Sequence, residues 1–423
     1  MSANYLRTLN EKLWAIVAAS FVARVIMFLV LPNTPSSLAP DEGTYAALTN
    51  WIAASKPATD FPAFGEGLYL SGRTLIIPSS ALNRIGMNEL DAVRLISSIY
   101  GFLSLVLLTF FALRLLNKSD DLSKFNTRLT LLFFTVFAFL PSHFIWSTLG
   151  LREGPNEFWV LLAFISTYTI FHLKTRFQAL MYVALFSSIV MCYNTRPQVG
   201  LVLGFGLLIY LITQIRKARS LFAITAVLAG IALGSITTSV NAGVSIVEDP
   251  SIVIEMVDGV PGRHAGNQVA AASKIETPDC PLSEISVIAS TSSRVETYAC
   301  IIWRAPYMTS TFLLRPFIVG DITSASSALA ATENLLWLLA FGLILFLIVK
   351  RRRIPRFNHL APSLVFFFLY VVGAGAYEGN MGTAFRHKSL ILWVVLVLLL
   401  SLFWRNPQTS ISVARNKPTE SAV

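Results

Sequence analysis

Charged residues make up only 13% of this 423-residue chain, about half the share that a soluble globular domain carries. The chain therefore lacks the polar cover that a water-facing surface requires. It has only three cysteines, which excludes a disulfide-dense scaffold. No Walker loop, dinucleotide fingerprint or Gly-x-Ser-x-Gly elbow occurs, so nucleotide-driven and hydride chemistry have no support. His264 and His387 stand alone, and no spacing resembles a zinc site. No internal repeat, low-complexity tract or soluble accessory domain is visible.

What the chain has is apolar length. Hydrophobic residues reach 54% and fall in blocks: Leu13–Leu31, Leu95–Leu116, Leu129–Leu149, Phe158–Phe171, Leu180–Tyr193, Val199–Ile212, Leu221–Val240, Leu335–Val349, Leu360–Tyr377 and Leu390–Phe403. With about 20 residues needed per crossing, these blocks predict an all-α membrane protein of about ten transmembrane helices. The first block is too long for the apolar region of a signal peptide, and no small-residue cleavage site precedes Pro32-Asn33.

The net charge of +10 follows from topology. Arg7, Lys12, Arg114, Lys118, Lys124, Arg128, Lys174, Arg176, Arg216, Lys217, Arg219 and Lys350-Arg-Arg-Arg353 fall at alternate junctions. This is the positive-inside pattern, and it places both termini in the cytoplasm. Of the acids, only Glu11, Asp120, Asp121 and Glu420 fall inside. The expected organisation is a single membrane domain over residues 1–405 with outer loops at 32–92 and 241–331, followed by a cytoplasmic tail over 406–423. Within the first loop, Thr44–Ala53 and Thr74–Arg84 read as short interfacial helices. In the second, Pro250, Pro261, Pro278 and Pro306 read as breaks. Cys280 and Cys300 share that loop, where a disulfide is open but not fixed by spacing. Cys192, at a helix end, reads as packing.

Chemistry-bearing side chains gather on the outer side. Asp41-Glu42-Gly43-Thr44-Tyr45 places a carboxylate where it can act as a general base toward an acceptor hydroxyl; a solvated helix-start pair is the structural alternative. Arg24 lies within the first apolar block, as a site residue or as the partner of an acid. Arg152, Arg196 and Arg386 sit in short outer turns, against the positive-inside bias. Their planar forks suit phosphate, and snorkelling to headgroups is the alternative. Beside Arg386, Gly379, Asn380 and Gly382 would let backbone approach an anion. Glu333 reads as opening a helix after Thr332, either as a site acid or as a dipole-compatible start.

These features resemble the GT-C superfamily of polytopic glycosyltransferases. The resemblance rests on Pro40-Asp41-Glu42-x-x-Tyr45 after the first helix and on Ala92-Val-Arg-Leu-Ile-Ser-Ser-Ile-Tyr-Gly101 at the return from the first loop. It continues through Leu151-Arg-Glu153, Arg315-Pro-Phe317, Ala331-Thr-Glu-Asn-Leu-Leu-Trp337 and Gly379-Asn-Met-Gly-Thr-Ala-Phe-Arg386. It spans most of the membrane part through short, loose motifs, and the segment 241–310 has no counterpart. It implies a GT-C-like bundle and an inverting transfer of a hexose or pentose from a polyprenyl-phosphate carrier. The acceptor would be an extracytoplasmic glycan, lipid or protein, in cell-envelope polysaccharide assembly at the plasma (bacterial inner) membrane. Asp41 would be the catalytic base or a substrate-orienting acid, with Glu42 its alternate. Arg152, Arg196 and Arg386 would hold the phosphate, and Tyr45, Glu153, Asn380 and Glu333 would line the substrate site. A divalent cation stays open as cofactor. The partners implied are the lipid-linked donor, the bilayer and the acceptor, with no nucleic acid. An O-antigen ligase or polysaccharide polymerase, and a transporter or flippase of lipid-linked or anionic solutes, are the alternative functions.

Overall fold

The computed structural model describes residues 3–36, 38–39, 41–55, 72–116, 124–173, 176–239, 294–317, 321–322, 325–349, 357–377 and 381–403. Among them every regular element is helical. In chain order they are α1 (Ala3–Val30), α2 (Asp41–Ala53), α3 (Arg73–Arg84), α4 (Glu89–Leu116), α5 (Lys124–Phe139), α6 (Pro141–Thr148), α7 (Glu153–His172) and α8 (Gln178–Thr195). They continue with α9 (Pro197–Thr213), α10 (Ala218–Ser239), α11 (Arg294–Leu314), α12 (Ala325–Val349), α13 (Phe357–Tyr377), α14 (Met381–His387) and α15 (Ser389–Phe403).

Among the described residues, five segments are long and apolar enough to cross a bilayer: Arg7–Val30, Glu89–Leu115, Thr127–Thr148, Ala218–Thr237 and Ser327–Val349. Pro197–Thr213, Leu360–Gly375 and Ser389–Leu402 are shorter apolar helices. The chain is thus a multi-pass membrane protein by length and composition. Its outer helices carry exposed apolar residues such as Leu29, Val30, Phe222 and Leu345, as lipid-facing surfaces should.

The core is built around α15, whose Leu390 to Leu400 are almost all buried, packed against α5, α7, α12 and α13. Phe164 of α7 meets Trp393 with ring centroids 5.1 Å apart. Small residues bring helices close. A Cβ on Gly230 of α10 would lie 2.9 Å from Ile189 of α8. One on Gly375 of α13 would lie 3.0 Å from the Met308 backbone of α11.

Several boundaries differ from the sequence reading. The block Leu129–Leu149 is two helices, because Pro141 starts a new one after Leu140 takes an extended ψ of 134°. Pro306 does not break the second outer segment; α11 runs through it, with α13 packed alongside. Glu333 does not open a helix: α12 begins at Ala325, and Thr332 Oγ1 donates back to the Ala328 carbonyl at 2.9 Å. Small Ala and Ser residues carry that first part of the helix without an apolar run to reveal it. The runs Thr44–Ala53 and Thr74–Arg84 lie in α2 and α3, which pack on each other and on α4. Cys280, Lys350-Arg-Arg-Arg353 and the tail 406–423 lie outside the described residues.

One buried ion pair ties the ends of α2 and α4 together. Arg94 Nε donates to Glu42 Oε1 at 2.7 Å and its Nη2 to Oε2 at 3.0 Å, with both side chains at most 1% exposed. Removing one partner of such a pair costs about 3–5 kcal/mol, because the other charge stays buried. Arg94→Met and Glu42→Leu are each expected to lower the melting temperature of the detergent-solubilised protein, and the double variant to recover part of the loss. Melting of either single variant at the wild-type temperature would show that the pair does not hold the fold.

Candidate functional site: a charged mouth at the helix ends

The two acids that open α2 have opposite fates. Successive helical residues project about 100° apart, so Glu42 turns inward while Asp41 turns to the rim. Glu42 is fully buried and also accepts from the Gly150 backbone N–H at 3.0 Å and the Ser36 N–H at 2.9 Å. With Arg94 it therefore receives four donors, and no edge of its carboxylate faces the mouth. Asp41 is 42% exposed, and its Oδ2 accepts from Arg386 Nη1 at 3.0 Å. Tyr45 follows one turn later on the Asp41 face and is buried. Burial raises the pKa of its phenol, and the charges of Arg152, Glu153, Asp41 and Arg196 act on it as well.

Arg152 and Glu153 enter from the turn between α6 and α7. That turn lies flat on α4. A Cβ on Gly154 would stand 2.8 Å from the Ser97 carbonyl oxygen, and Ser97 Oγ donates to the Leu151 carbonyl at 2.8 Å. Arg196 enters between α8 and α9. The residue before a proline is driven to extended backbone, and Arg196 before Pro197 has φ −159° and ψ 98°. Its Nη2 donates to Glu153 Oε1 at 3.1 Å. Arg386 and His387 come from α14, with His387 Nε2 3.9 Å from the same Glu153 oxygen. Behind them Lys388 Nζ donates to the Leu313 carbonyl at 3.1 Å, the Arg315 carbonyl at 2.7 Å and Asn334 Oδ1 at 2.8 Å. Three N–H bonds on three acceptors pin α14 to the end of α11 and to α12.

The mouth thus assembles Asp41, Tyr45, Arg152, Glu153, Arg196, Arg386 and His387 from four chain-distant segments, with one cation in excess over the acids. Burial and then Arg196 lower the Arg152 pKa. Burial also lowers that of Arg386, but Glu153 and Asp41 outweigh it and hold the guanidinium above its usual range. Burial, followed by Arg196, holds the His387 imidazole well below its ordinary value of 6.5. An anion entering here would find cations already oriented in a partly buried setting, where charge–charge attraction is stronger than in water.

The other sequence candidates lie elsewhere. Glu333 is buried and accepts from the Ser142 backbone N–H at 2.8 Å and from Trp337 Nε1 at 3.0 Å; neither donor belongs to the mouth. Asn380 and Gly379 lie outside the described residues. Arg24 is buried, donating to Ser20 Oγ and to Ser147 Oγ at 3.2 Å, with Phe144 beneath its guanidinium and the Glu157 carboxylate as the acid whose charge acts on it. Sequence reasoning set His387 aside as isolated and gave Lys388 no role; only their adjacency to Arg386 could have drawn attention to them. Among the described residues no group of three or more His, Cys, Asp or Glu side chains is arranged for a metal ion. Asp41 and Glu153 each hold an arginine, so this donor set does not fit a resident divalent cation.

No protein-family model matches the sequence, and no curated protein matches it. Among solved structures, the chain is similar to the crystal structure of ArnT from Cupriavidus metallidurans in the apo state. The likeness covers 94% of this chain and 79% of that one at 14% identity, with a TM-score of 0.40. At that identity and score it supports no statement about chemistry. The chain's own helices and contacts define a multi-pass α-helical membrane protein with an arginine-rich mouth at its helix ends.

The buried histidine gives a pH test. A folded pKa below the unfolded one means that the unfolded chain takes up a proton first, so stability is lost as pH falls below about 6.5. His387→Asn is expected to melt with a smaller drop between pH 6.5 and pH 5 than the wild type, the difference being up to about 1.4 kcal/mol per pH unit. Equal drops in both proteins would mean that His387 titrates as if exposed.

Proposed function

We propose that the chain is a membrane glycosyltransferase that moves a sugar from a polyprenyl-phosphate carrier to an extracytoplasmic acceptor during cell-envelope glycan assembly. The observation that carries this reading is the convergence of Arg152, Arg196 and Arg386 on Asp41, Tyr45 and Glu153 at one mouth. Arginine forks match a phosphate bidentately, and the mouth lies at the ends of apolar helices, the depth at which the phosphate of a membrane-embedded lipid sits. The motifs shared with the GT-C superfamily support the same assignment. In this reading the protein sits in the plasma membrane with both termini in the cytoplasm and the mouth outside.

The reaction is an in-line displacement at the anomeric carbon. The acceptor hydroxyl oxygen forms the new bond to that carbon, its proton passes to Asp41, and the bond to the phosphate oxygen breaks with both electrons leaving on the polyprenyl phosphate. Asp41 suits the base role because it is half exposed and its Oδ2 alone is tied to Arg386; Glu42 is saturated by Arg94 and two backbone donors. Arg386 bridges the two functions. A phosphate that draws its guanidinium away releases the Asp41 carboxylate as the donor binds. Arg152 and Arg196 stabilise the charge that grows on the departing phosphate.

Asp41→Asn keeps the shape but cannot take the proton. It is expected to slow transfer by roughly 10²–10⁴-fold while leaving donor binding intact. Arg386→Ala should raise KM for the donor and lower kcat as well. The assay is transfer from a synthetic polyprenyl-phosphate sugar in detergent, and near-native turnover by Asp41→Asn would remove it from the base role.

Orientation is tested by single cysteines in a cysteine-free background. An impermeant maleimide should label position 41 but not position 351 in intact cells. The reverse pattern would invert the topology and put the mouth on the cytoplasmic face.

A further inference from the structure

One residue of α7 stands out from its neighbours. Asn156 is fully buried, yet neither its Oδ1 nor its Nδ2 has a hydrogen-bond partner among the described residues. The carboxylates on either side of it are satisfied, Glu153 by Arg196 at 3.1 Å and Glu157 by His143 Nδ1 at 2.9 and 3.0 Å. Of the unpartnered groups on this helix, Asn156 alone lacks partners at both a donor and an acceptor atom among the described residues. A buried amide without partners destabilises the fold, and structures rarely retain one without a reason.

Its place on the helix supplies the reason. At 3.6 residues per turn, Asn156 projects about 40° from Arg152 and about 60° from Glu153, between the two and one turn deeper. Helical side chains tilt toward the helix N-terminus, which directs the amide up toward the mouth. The chemistry of the group narrows what it can meet there. An amide does not ionise at working pH, so it is neither base nor acid. Its N–H groups can donate to a phosphate, but a phosphodiester offers only acceptors and would leave the buried amide carbonyl unpaired. It offers two N–H donors and a carbonyl acceptor on one planar group, which matches adjacent hydroxyls of a sugar ring.

We propose that Asn156 is a specificity-determining residue that hydrogen-bonds ring hydroxyls of the transferred sugar. This rests on the glycosyltransferase reading above. A site built to hydrogen-bond a substrate hydroxyl discriminates strongly against a ligand that lacks it, because its own buried polar groups are then left unpaired.

The test is ligand-dependent melting of the full chain in detergent, with a polyprenyl phosphate and the same lipid bearing a hexose or a pentose. For the wild type, the plain lipid should raise the melting temperature and one of the two sugars should raise it further. Asn156→Leu, of similar volume, should melt unliganded at or above the wild-type temperature. It should respond as before to the plain lipid and lose the sugar's increment, with affinity for the sugar-bearing lipid down about tenfold. Asn156→Ala should lose the same increment and serves if leucine does not fit. An unliganded melting temperature several degrees lower in both variants would assign Asn156 to the fold and overturn the proposal. So would a retained sugar increment, or a wild type that responds to the plain lipid but to neither sugar. A wild type indifferent to every polyprenyl lipid would overturn the glycosyltransferase reading along with it.

Discussion

The Glu42–Arg94 pair is the constraint on which the mouth end of this protein depends. Four short pieces of chain meet at these two side chains. Arg94 of α4 donates to the Pro32 carbonyl at 2.7 Å and to the Thr34 carbonyl at 3.0 Å, while Glu42 receives the Ser36 and Gly150 N–H groups. The exit of α1, the start of α2, the N-terminal part of α4 and the turn before α7 are thereby fixed to one another. A buried pair is not favourable by virtue of its charge alone. This one has nearly all its hydrogen-bonding capacity used, which is the condition under which burial is tolerated. Its value lies in register: once Glu42 is locked inward, the helical repeat places Asp41 and Tyr45 on the rim.

The same economy of partners explains how three arginines coexist at the mouth. Like charges at this depth repel, and Arg196 adds to burial in lowering the Arg152 pKa. Glu153 sits among them and accepts from Arg196, while Asp41 takes Arg386. His387, held neutral, adds no further cation to the group. The arrangement is rigid where α14 is anchored through Lys388 and where the Gly150–Gly154 turn lies on α4. Asp41, at 42% exposure, is more open to solvent than Arg386, at 15%.

Hydropathy alone revealed most of the helices, because a lipid-embedded backbone must satisfy itself within the segment. It failed where that signal is absent. The small residues opening α12 and the mixed composition of α11 hid both stretches inside an apparent loop. Pro141 divided an apolar block that reads as unbroken. For the mouth, the positive-inside bias singled out Arg152, Arg196 and Arg386, since in the orientation that the charge pattern predicts they are cations in the less basic set of turns. Nothing in spacing separated Asp41 from Glu42, or marked Asn156 and Lys388.

By itself, then, the order of residues determined that the chain crosses a membrane several times and that its unusual cations cluster at turns on one side. Both follow from transfer free energies that each segment carries locally. Only the tertiary structure decided which carboxylate faces the mouth, which arginine each acid holds, and which buried amide is left without a partner. Those outcomes depend on contacts between residues separated by 52 positions for Glu42 and Arg94 and by 345 for Asp41 and Arg386. No local preference encodes them, because they arise only when packed helices bring distant turns to the same end of the bundle.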